Sequence, residues 1–90
     1  MEIFFKKTFI KDFHNLPKDT KEKVREICLF LFPKTNDLKN VKGLDIDKIP
    51  GFSNYYRIRI GNYRIGFEKQ GNSIIFMRVL HRKDIYRFFP

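Results

Sequence analysis

Arginine side chains are concentrated in one short stretch of the second half of the chain. Arg57, Arg59 and Arg64 lie on either side of Gly61-Asn62, a pair that is typical of a tight turn between two strands. Because side chains alternate between the two faces of a strand, these arginines should share one outward face of a hairpin and add little to packing. Guanidinium groups hold phosphates through paired hydrogen bonds and stack on bases. The pattern therefore predicts an anion-binding surface.

Carboxylates near this surface would weaken that interpretation. Six of the seven arginines lie after residue 56, where the acidic residues are Glu68 and Asp84. On the predicted hairpin Arg57 is close enough to Glu68 to pair with it. Such a pair would explain one arginine but not all three, so the cluster still favours a bound anion.

A histidine, His81, follows directly after the last predicted strand. A histidine has an ordinary pKa of about 6.5 and can transfer protons near neutral pH. His81 is explained equally well as a hydrogen-bonded residue at a strand end.

The remaining reactive side chains are expected to be structural. Cys28 is the single cysteine and lies in an apolar helical stripe, where a thiol behaves as a small hydrophobic group. His14 lies in a polar helical stretch and should be on the surface. Two distant histidines and one helical cysteine do not make a metal site, so neither metal nor cofactor is predicted.

The overall charge points to a polyanionic partner. The chain carries 19 Lys and Arg against 10 Asp and Glu, which gives a net charge of +9, and such a basic domain favours nucleic acid. No apolar run approaches the ~20 residues that span a bilayer, and the N-terminus does not resemble a signal peptide. The protein is therefore expected in the cytoplasm.

The hydrophobic pattern changes from a helical period to a strand period along the chain. After a short strand at residues 3–5, Thr8 is expected to cap a first helix, and Pro33 to end a second helix over residues 18–32. Residues 34–53 should form an irregular connection that Leu38, Val41, Leu44 and Ile46 attach to the core. Strands over 55–60, 63–68 and 73–80 follow, the last buried on both faces, before a final helical turn.

These elements predict an α+β fold in one domain over residues 1–90. The order β-α-α-β-β-β places a helical hairpin on one face of a mainly antiparallel sheet. In such a small chain, 11 Phe and 4 Tyr supply the apolar area for a core.

The hairpin over residues 56–67 and the tail His81-Arg-Lys-Asp-Ile-Tyr-Arg87 resemble the RelE/ParE superfamily of toxins from type II toxin–antitoxin systems. The resemblance covers essentially the whole chain and implies a RelB-like antitoxin as partner. An excess of apolar side chains, beyond one helical stripe, favours a contact with an amphipathic antitoxin segment; these are Leu29, Phe30, Phe32, Phe88 and Phe89.

Resemblance to the RelE-like nucleases implies cleavage of mRNA in the ribosomal A site by its own 2′-OH, without metal. Arg57 and Arg59 then match paired basic positions, Arg64 the arginine that stabilises the transition state, and Arg82 the arginine near the leaving oxygen. Tyr86 matches the aromatic residue that stacks on a nucleotide. Arginine is a poor general base, and His81 is the local candidate for that role.

The superfamily also contains ParE-like toxins that inhibit DNA gyrase and cut nothing. The three hairpin arginines and His81 favour the nuclease. A plain basic nucleic-acid-binding domain is a third interpretation, but the chain has no helix-turn-helix or RNP-like signature.

Overall fold

The computed structural model describes residues 1–90 and contains one five-stranded sheet with helices on it. The elements in chain order are β1 (Glu2–Phe5), α1 (Lys7–His14), α2 (Lys18–Glu26, continued by a π-helical turn Ile27–Leu31 and a last turn Phe32–Lys34), a 3-10 turn (Leu38–Asn40), β2 (Asp45–Lys48), β3 (Tyr55–Ile60), β4 (Tyr63–Gln70), β5 (Ser73–His81) and α3 (Ile85–Phe88).

The strands lie in the order β1-β5-β4-β3-β2, and only β1 and β5 run parallel. The β3-β4-β5 meander is as predicted. Each of its tight turns begins with a glycine in the left-handed region, Gly61 with φ 55° and Gly71 with φ 58°, where a Cβ atom would be strained. The predicted α+β class, with helices on a mainly antiparallel sheet, is confirmed.

The core lies between the helices and one face of the sheet. Ile58, Ile65 and Phe67 are fully buried there, as the alternation of the hairpin predicts. The ring of Phe32 on α2 contacts the rings of Phe67 and Phe76, with centroids 5.4 Å apart in both pairs. These large aromatic side chains allow a chain of this size to bury a continuous apolar core.

The first turns of α1 cover part of the edge of β5. The prediction that Thr8 caps this helix was wrong. Lys6 is at the N-cap position, and the Thr8 hydroxyl donates to the carbonyl of Met77 at 2.9 Å. Strand β1 accompanies β5 only as far as Phe76. The backbone of β5 beyond that point therefore needs other partners, and α1 provides them.

Helix α2 continues past Pro33, which was expected to end it. The N–H of Phe32 bonds to the carbonyl of Ile27, five residues back, in the wider π-helical register. Proline has no N–H and normally clashes with the carbonyl four residues before it. The π turn changes the pairing just before Pro33, and the last helical turn extends to Lys34.

The connection after α2 contains a strand that the sequence analysis missed. β2 pairs antiparallel with the outer edge of β3, so residues 34–53 are not wholly irregular. Its sequence, Asp-Ile-Asp-Lys, is poor in the residues that strands prefer. The expected attachment to the core is confirmed, because Val41 is buried and Leu38, Leu44 and Ile46 pack against it.

Strand β5 is buried mainly on one face, which corrects the expectation of burial on both. Ile74, Phe76 and Val79 are fully buried, whereas Ile75 and Met77 are partly exposed. A register shift opposite Gly66 and Phe67 keeps both Phe76 and Val79 on the core side. The predicted C-terminal helical turn is present as α3. No helix in the structure has the length and apolar character needed to cross a membrane.

Candidate functional site

The predicted arginine surface exists on the face of the sheet opposite α1 and α2. Arg59 stands directly across from Arg64, and Arg57 stands across from Gly66. Their neighbours Ile58 and Ile65 pair with each other and point into the core. The pleat of the hairpin therefore brings the three arginines to one face, as predicted.

Arg64 is not the freely exposed side chain that the sequence suggested. It is 8% exposed, and its Nη1 donates to the carbonyls of Gly61 at 2.7 Å and Tyr63 at 2.8 Å. Its Nε and Nη2 make no hydrogen bond within the chain, and no buried polar atom lacks a partner. The turn carbonyls thus fix the guanidinium while two of its nitrogens stay open to an anion.

The electrostatic environment of Arg64 is strongly positive. Burial lowers the pKa of its guanidinium from the ordinary value, and the charges of Arg59, Arg57 and Arg82 lower it further, while Tyr86 acts in the opposite direction. Each neighbouring arginine disfavours a further positive charge on Arg64. We call Arg57, Arg59, Arg64 and Arg82 the arginine cluster.

Arg82 joins the cluster because the chain after β5 is tied to the hairpin turn. Its N–H donates to the carbonyl of Asn62 at 2.7 Å, which places residue 82 beside the start of β4. The Arg82 side chain is exposed. An exposed guanidinium at this position can approach a ligand that is bound at Arg64.

Two carboxylates of β2 border the cluster. Oδ2 of Asp47 lies 3.8 Å from Nη2 of Arg57, and Oδ2 of Asp45 lies 3.6 Å from Nη1 of Arg59. The alternative of an Arg57–Glu68 pair does not apply, because Glu68 accepts a hydrogen bond from Asn54 at 2.6 Å. The Arg59–Asp45 pair is exposed on both sides and is weak, whereas Arg57 is mostly buried and only Asp47 is exposed.

Tyr86 lies over the cluster from α3. The Arg57 guanidinium carbon is 4.9 Å from the centre of its ring, within the range of a cation–π contact. The Tyr86 side chain remains 69% exposed. One ring face can therefore meet Arg57 while much of the side chain stays accessible to a base.

His81 is the one predicted site residue that the structure does not bring to this face. It pairs with Tyr63 across β4 and β5, and the two rings meet edge-on with centroids 5.4 Å apart, on the side of the sheet that bears the helices. The N–H of Lys83 donates to His81 Nδ1 at 3.2 Å. In the neutral ring the proton is then on Nε2, which makes that nitrogen a donor.

Other arginines and the cysteine have structural surroundings. Arg78 bonds to Asp12 of α1 through Nε at 2.7 Å and Nη2 at 3.0 Å, and Arg87 lies over the ring of Phe88. Cys28 is buried, as predicted, and burial raises the pKa of its thiol well above the ordinary value. This thiol stays protonated and is a poor nucleophile.

The apolar residues expected to be in excess divide into two groups. Leu29, Phe30 and Phe88 are about half exposed. Phe32 and Phe89 are buried, which corrects the expectation that they were surplus: Phe32 belongs to the core and Phe89 packs beneath α3.

The sequence analysis did not identify the two carboxylates of β2 that border the arginines, or the close contact at Gly66. The alternation in Asp45-Ile46-Asp47 is a strand signal, although a short one. Nothing in the sequence alone shows that Gly66 lies under the ring of Phe89.

Comparison with known proteins gives a consistent result. Residues 3–86 match the family model described as "ParE toxin of type II toxin-antitoxin system, parDE". The chain is 50% identical to Toxin RelE3 of Methanocaldococcus jannaschii over the full length of both proteins.

Solved structures agree with these sequence matches. The chain resembles the RelB-RelE antitoxin–toxin complex from Methanococcus jannaschii, with a TM-score of 0.78 and 50% identity over 97% of this chain and 99% of that one. The isolated E. coli RelE toxin has a TM-score of 0.66 over 98% of both chains at 13% identity, which shows a shared fold.

Proposed function

The chain belongs to the ParE toxin family of type II toxin–antitoxin systems, and we propose that it is a ribosome-dependent endoribonuclease that cleaves mRNA in the A site. The full-length relative at 50% identity is named a RelE toxin, and the resemblance of the hairpin and tail is to the RelE-like nucleases. The observation that carries the proposal is the arginine cluster on one face of the hairpin, where Arg59 stands opposite Arg64 and two nitrogens of the Arg64 guanidinium have no partner within the chain.

The reaction places negative charge where the cluster can meet it. The 2′-oxygen of a nucleotide attacks the adjacent phosphorus, the bond from phosphorus to the 5′-oxygen breaks, and the products are a 2′,3′-cyclic phosphate and a 5′-hydroxyl. Negative charge grows on the nonbridging oxygens during this step. Cations that are fixed before the reaction stabilise such charge without reorganisation.

Each arginine has a distinct position for this chemistry. Arg64 is fixed by the turn carbonyls and directs Nε and Nη2 outward, which suits contact with the nonbridging oxygens. Arg59 stands opposite it and can share the same phosphate. The exposed Arg82 is suited to the leaving 5′-oxygen, and Tyr86 to stacking on a base so that the 2′-oxygen is held in line.

Proton transfer requires an acceptor for the 2′-OH proton and a donor for the leaving oxygen. His81 presents Nε2 as a donor and lies on the other side of the sheet edge from the cluster. Both features favour a structural role for His81 over general acid–base catalysis, because the ring faces away from the cluster and a neutral imidazole N–H is too weak an acid to protonate the leaving oxygen. The carboxylates of Asp45 and Asp47 are the proton-accepting groups that border the arginines.

A RelB-like antitoxin is the proposed protein partner. The archaeal relative at 50% identity was crystallised with RelB. An acidic partner segment would neutralise the arginine cluster, and the half-exposed Leu29 and Phe30 on α2 offer apolar area for it. Co-expression with the neighbouring open reading frame should give a stable complex. Purification as a monomer that does not inhibit growth would contradict this proposal.

The decisive experiment is cleavage of a programmed mRNA on ribosomes under single-turnover conditions. The wild-type protein should cut within the A-site codon and leave a 2′,3′-cyclic phosphate at the new end. The products distinguish this chemistry from hydrolysis by an activated water, which would leave a 3′- or 5′-phosphate directly. Absence of cleavage by folded, antitoxin-free protein would overturn the proposal.

Gyrase inhibition is the second candidate, because the matching family model is described as a ParE toxin. A supercoiling assay with purified gyrase separates the two functions. Inhibition of supercoiling without mRNA cleavage would replace the nuclease with this alternative.

A further inference from the structure

We propose that Gly66 and Phe89 form a socket that holds α3 on the sheet and thereby positions the ring of Tyr86 over Arg57. The inference rests on the proposed function for its catalytic consequence, although the socket itself can be tested without any reaction.

The helical turn α3 cannot hold its own position. It contains four residues, Ile85–Phe88, far fewer than the ~12–15 at which an isolated helix becomes marginally stable in water. Tertiary contacts must therefore fix it. The buried side chains at its two ends, Ile85 and Phe89, lie outside the main core cluster, so α3 is attached to the arginine face by a separate apolar contact.

Phe89 occupies the space where a side chain at position 66 would be. A Cβ atom built on Gly66 would lie 2.5–2.7 Å from three atoms of the Phe89 ring, too close for any ordinary contact. Gly66 does not have a positive φ, so its backbone would accept another residue. Glycine is needed here because any side chain would occupy the space of the Phe89 ring. The ring of Tyr55 meets Phe89 edge-on, with centroids 5.6 Å apart, and forms another side of the socket.

The socket and the catalytic contact depend on the same cross-strand pair. Arg57 and Gly66 are direct partners on β3 and β4; Arg57 contacts Tyr86 and Gly66 contacts Phe89. Tyr86 lies within α3, and Phe89 follows its last residue directly as the C-cap, with its N–H bonded to the carbonyl of Ile85. Displacing Phe89 from Gly66 must therefore also move Tyr86 away from Arg57.

Nuclear magnetic resonance can test the socket directly. Protons of the Arg57 side chain over the Tyr86 ring should resonate upfield, and Tyr86→Leu defines the size of that ring-current shift. Gly66→Ala should remove at least half of it. Phe89→Ala should do the same by emptying the socket, and it adds nothing to the sheet, so it decides the matter if Gly66→Ala does not fold.

Two further variants separate positioning from general damage. Arg87→Ala removes an exposed side chain from the same turn, whose guanidinium contacts only the neighbouring Phe88 ring, and should leave the Arg57 shift unchanged. The double variant Gly66→Ala/Phe89→Leu gives the added methyl group room. It should restore part of the Arg57 shift that Gly66→Ala loses, so the effects of the two substitutions should be non-additive.

In the ribosome assay, Gly66→Ala should reduce the single-turnover rate about tenfold to a hundredfold, as expected for a misplaced contact. Its affinity for the ribosome should stay within about twofold of wild type, because the charge of the arginine cluster is unchanged. An unchanged Arg57 shift in Gly66→Ala or in Phe89→Ala would overturn the socket. If the wild type cuts no mRNA, the proposed function fails, and the shift measurements still decide the socket.

Discussion

Arg59 and Arg64 stand directly opposite each other across the β3–β4 hairpin. Like charges at such positions destabilise a sheet, and a stable scaffold alone would favour an oppositely charged partner. The carbonyls around Gly61 and the carboxylate of Asp45 offset part of the repulsion. A bound phosphate would offset the rest, which agrees with the phosphate-binding role that we propose for this pair.

Replacement of Arg64 by alanine should reduce cleavage strongly and also weaken the fold. Loss of one transition-state contact of this kind costs about 10²–10³ in rate. The two lost hydrogen bonds to turn carbonyls should cost about 1–2 kcal/mol, a fall of roughly 4–16 °C in Tm for a domain of this size.

Single-turnover cleavage well below the melting temperature of each variant separates these two effects. A half-exposed control such as Phe30→Ala should leave cleavage intact. Near wild-type cleavage by folded Arg64→Ala would exclude Arg64 from the site.

Replacement of Arg64 by lysine should give partial activity that disappears at alkaline pH. Burial and the neighbouring arginines lower the pKa at this position, and a lysine starts from about 10.4 rather than above 12. The lysine would therefore lose its charge as the pH rises through its lowered pKa, while arginine stays charged. A rate profile between neutral and alkaline pH tests this; parallel profiles for Arg64→Lys and wild type would contradict it.

Replacement of Asp12 by alanine should destabilise the protein without touching the arginine cluster. Asp12 is buried and accepts hydrogen bonds from Arg78 and from the N–H of Val79 at 3.2 Å, which closes the edge of β5 beyond β1. Removal leaves a half-buried charge and a buried N–H without partners, at a cost of about 2–3 kcal/mol. Thermal unfolding measures the loss. Glu22→Ala, at an exposed helical position, should change stability by less than about 0.5 kcal/mol.

Periodicity predicted those parts of the fold in which one face of an element is buried. The hairpin alternates cleanly, and this alternation places Ile58, Ile65 and Phe67 in the core and the arginines on the other face, as the structure has them. It failed where local preference and tertiary context disagree. Asp-Ile-Asp-Lys becomes β2 because β3 offers an open edge, and Pro33 is accommodated by the π turn before it.

The residues that share the arginine face could be predicted from the sequence, but their surroundings could not. Parity brings Arg57, Arg59 and Arg64 together, and the resemblance added Arg82 and Tyr86. The burial of Arg64 depends on carbonyls of the turn, which have no sequence signature. His81 falls on the other side of the sheet because β5 ends one residue later than predicted, with His81 paired to Tyr63.

Replacement of Asp47 by asparagine distinguishes two roles for the carboxylate beside Arg57. If Asp47 only competes with phosphate for Arg57, its loss should tighten binding of a short single-stranded RNA by at least about two- to fivefold, the range for a surface ion pair. Cleavage should then be retained or increased.

Glu2→Gln is the matched control, because it makes the same change in charge on β1, at the far edge of the sheet. Binding should be measured at several salt concentrations, since each additional phosphate contact steepens the logarithmic salt dependence by about 0.7 for single strands. Asp47→Asn should therefore show both tighter binding and a steeper slope than Glu2→Gln. Equal binding by the two variants would show that Asp47 does not compete for Arg57. Tighter binding with cleavage lost would instead identify Asp47 as the group that accepts the 2′-OH proton, because asparagine keeps the shape of the side chain but cannot take up a proton.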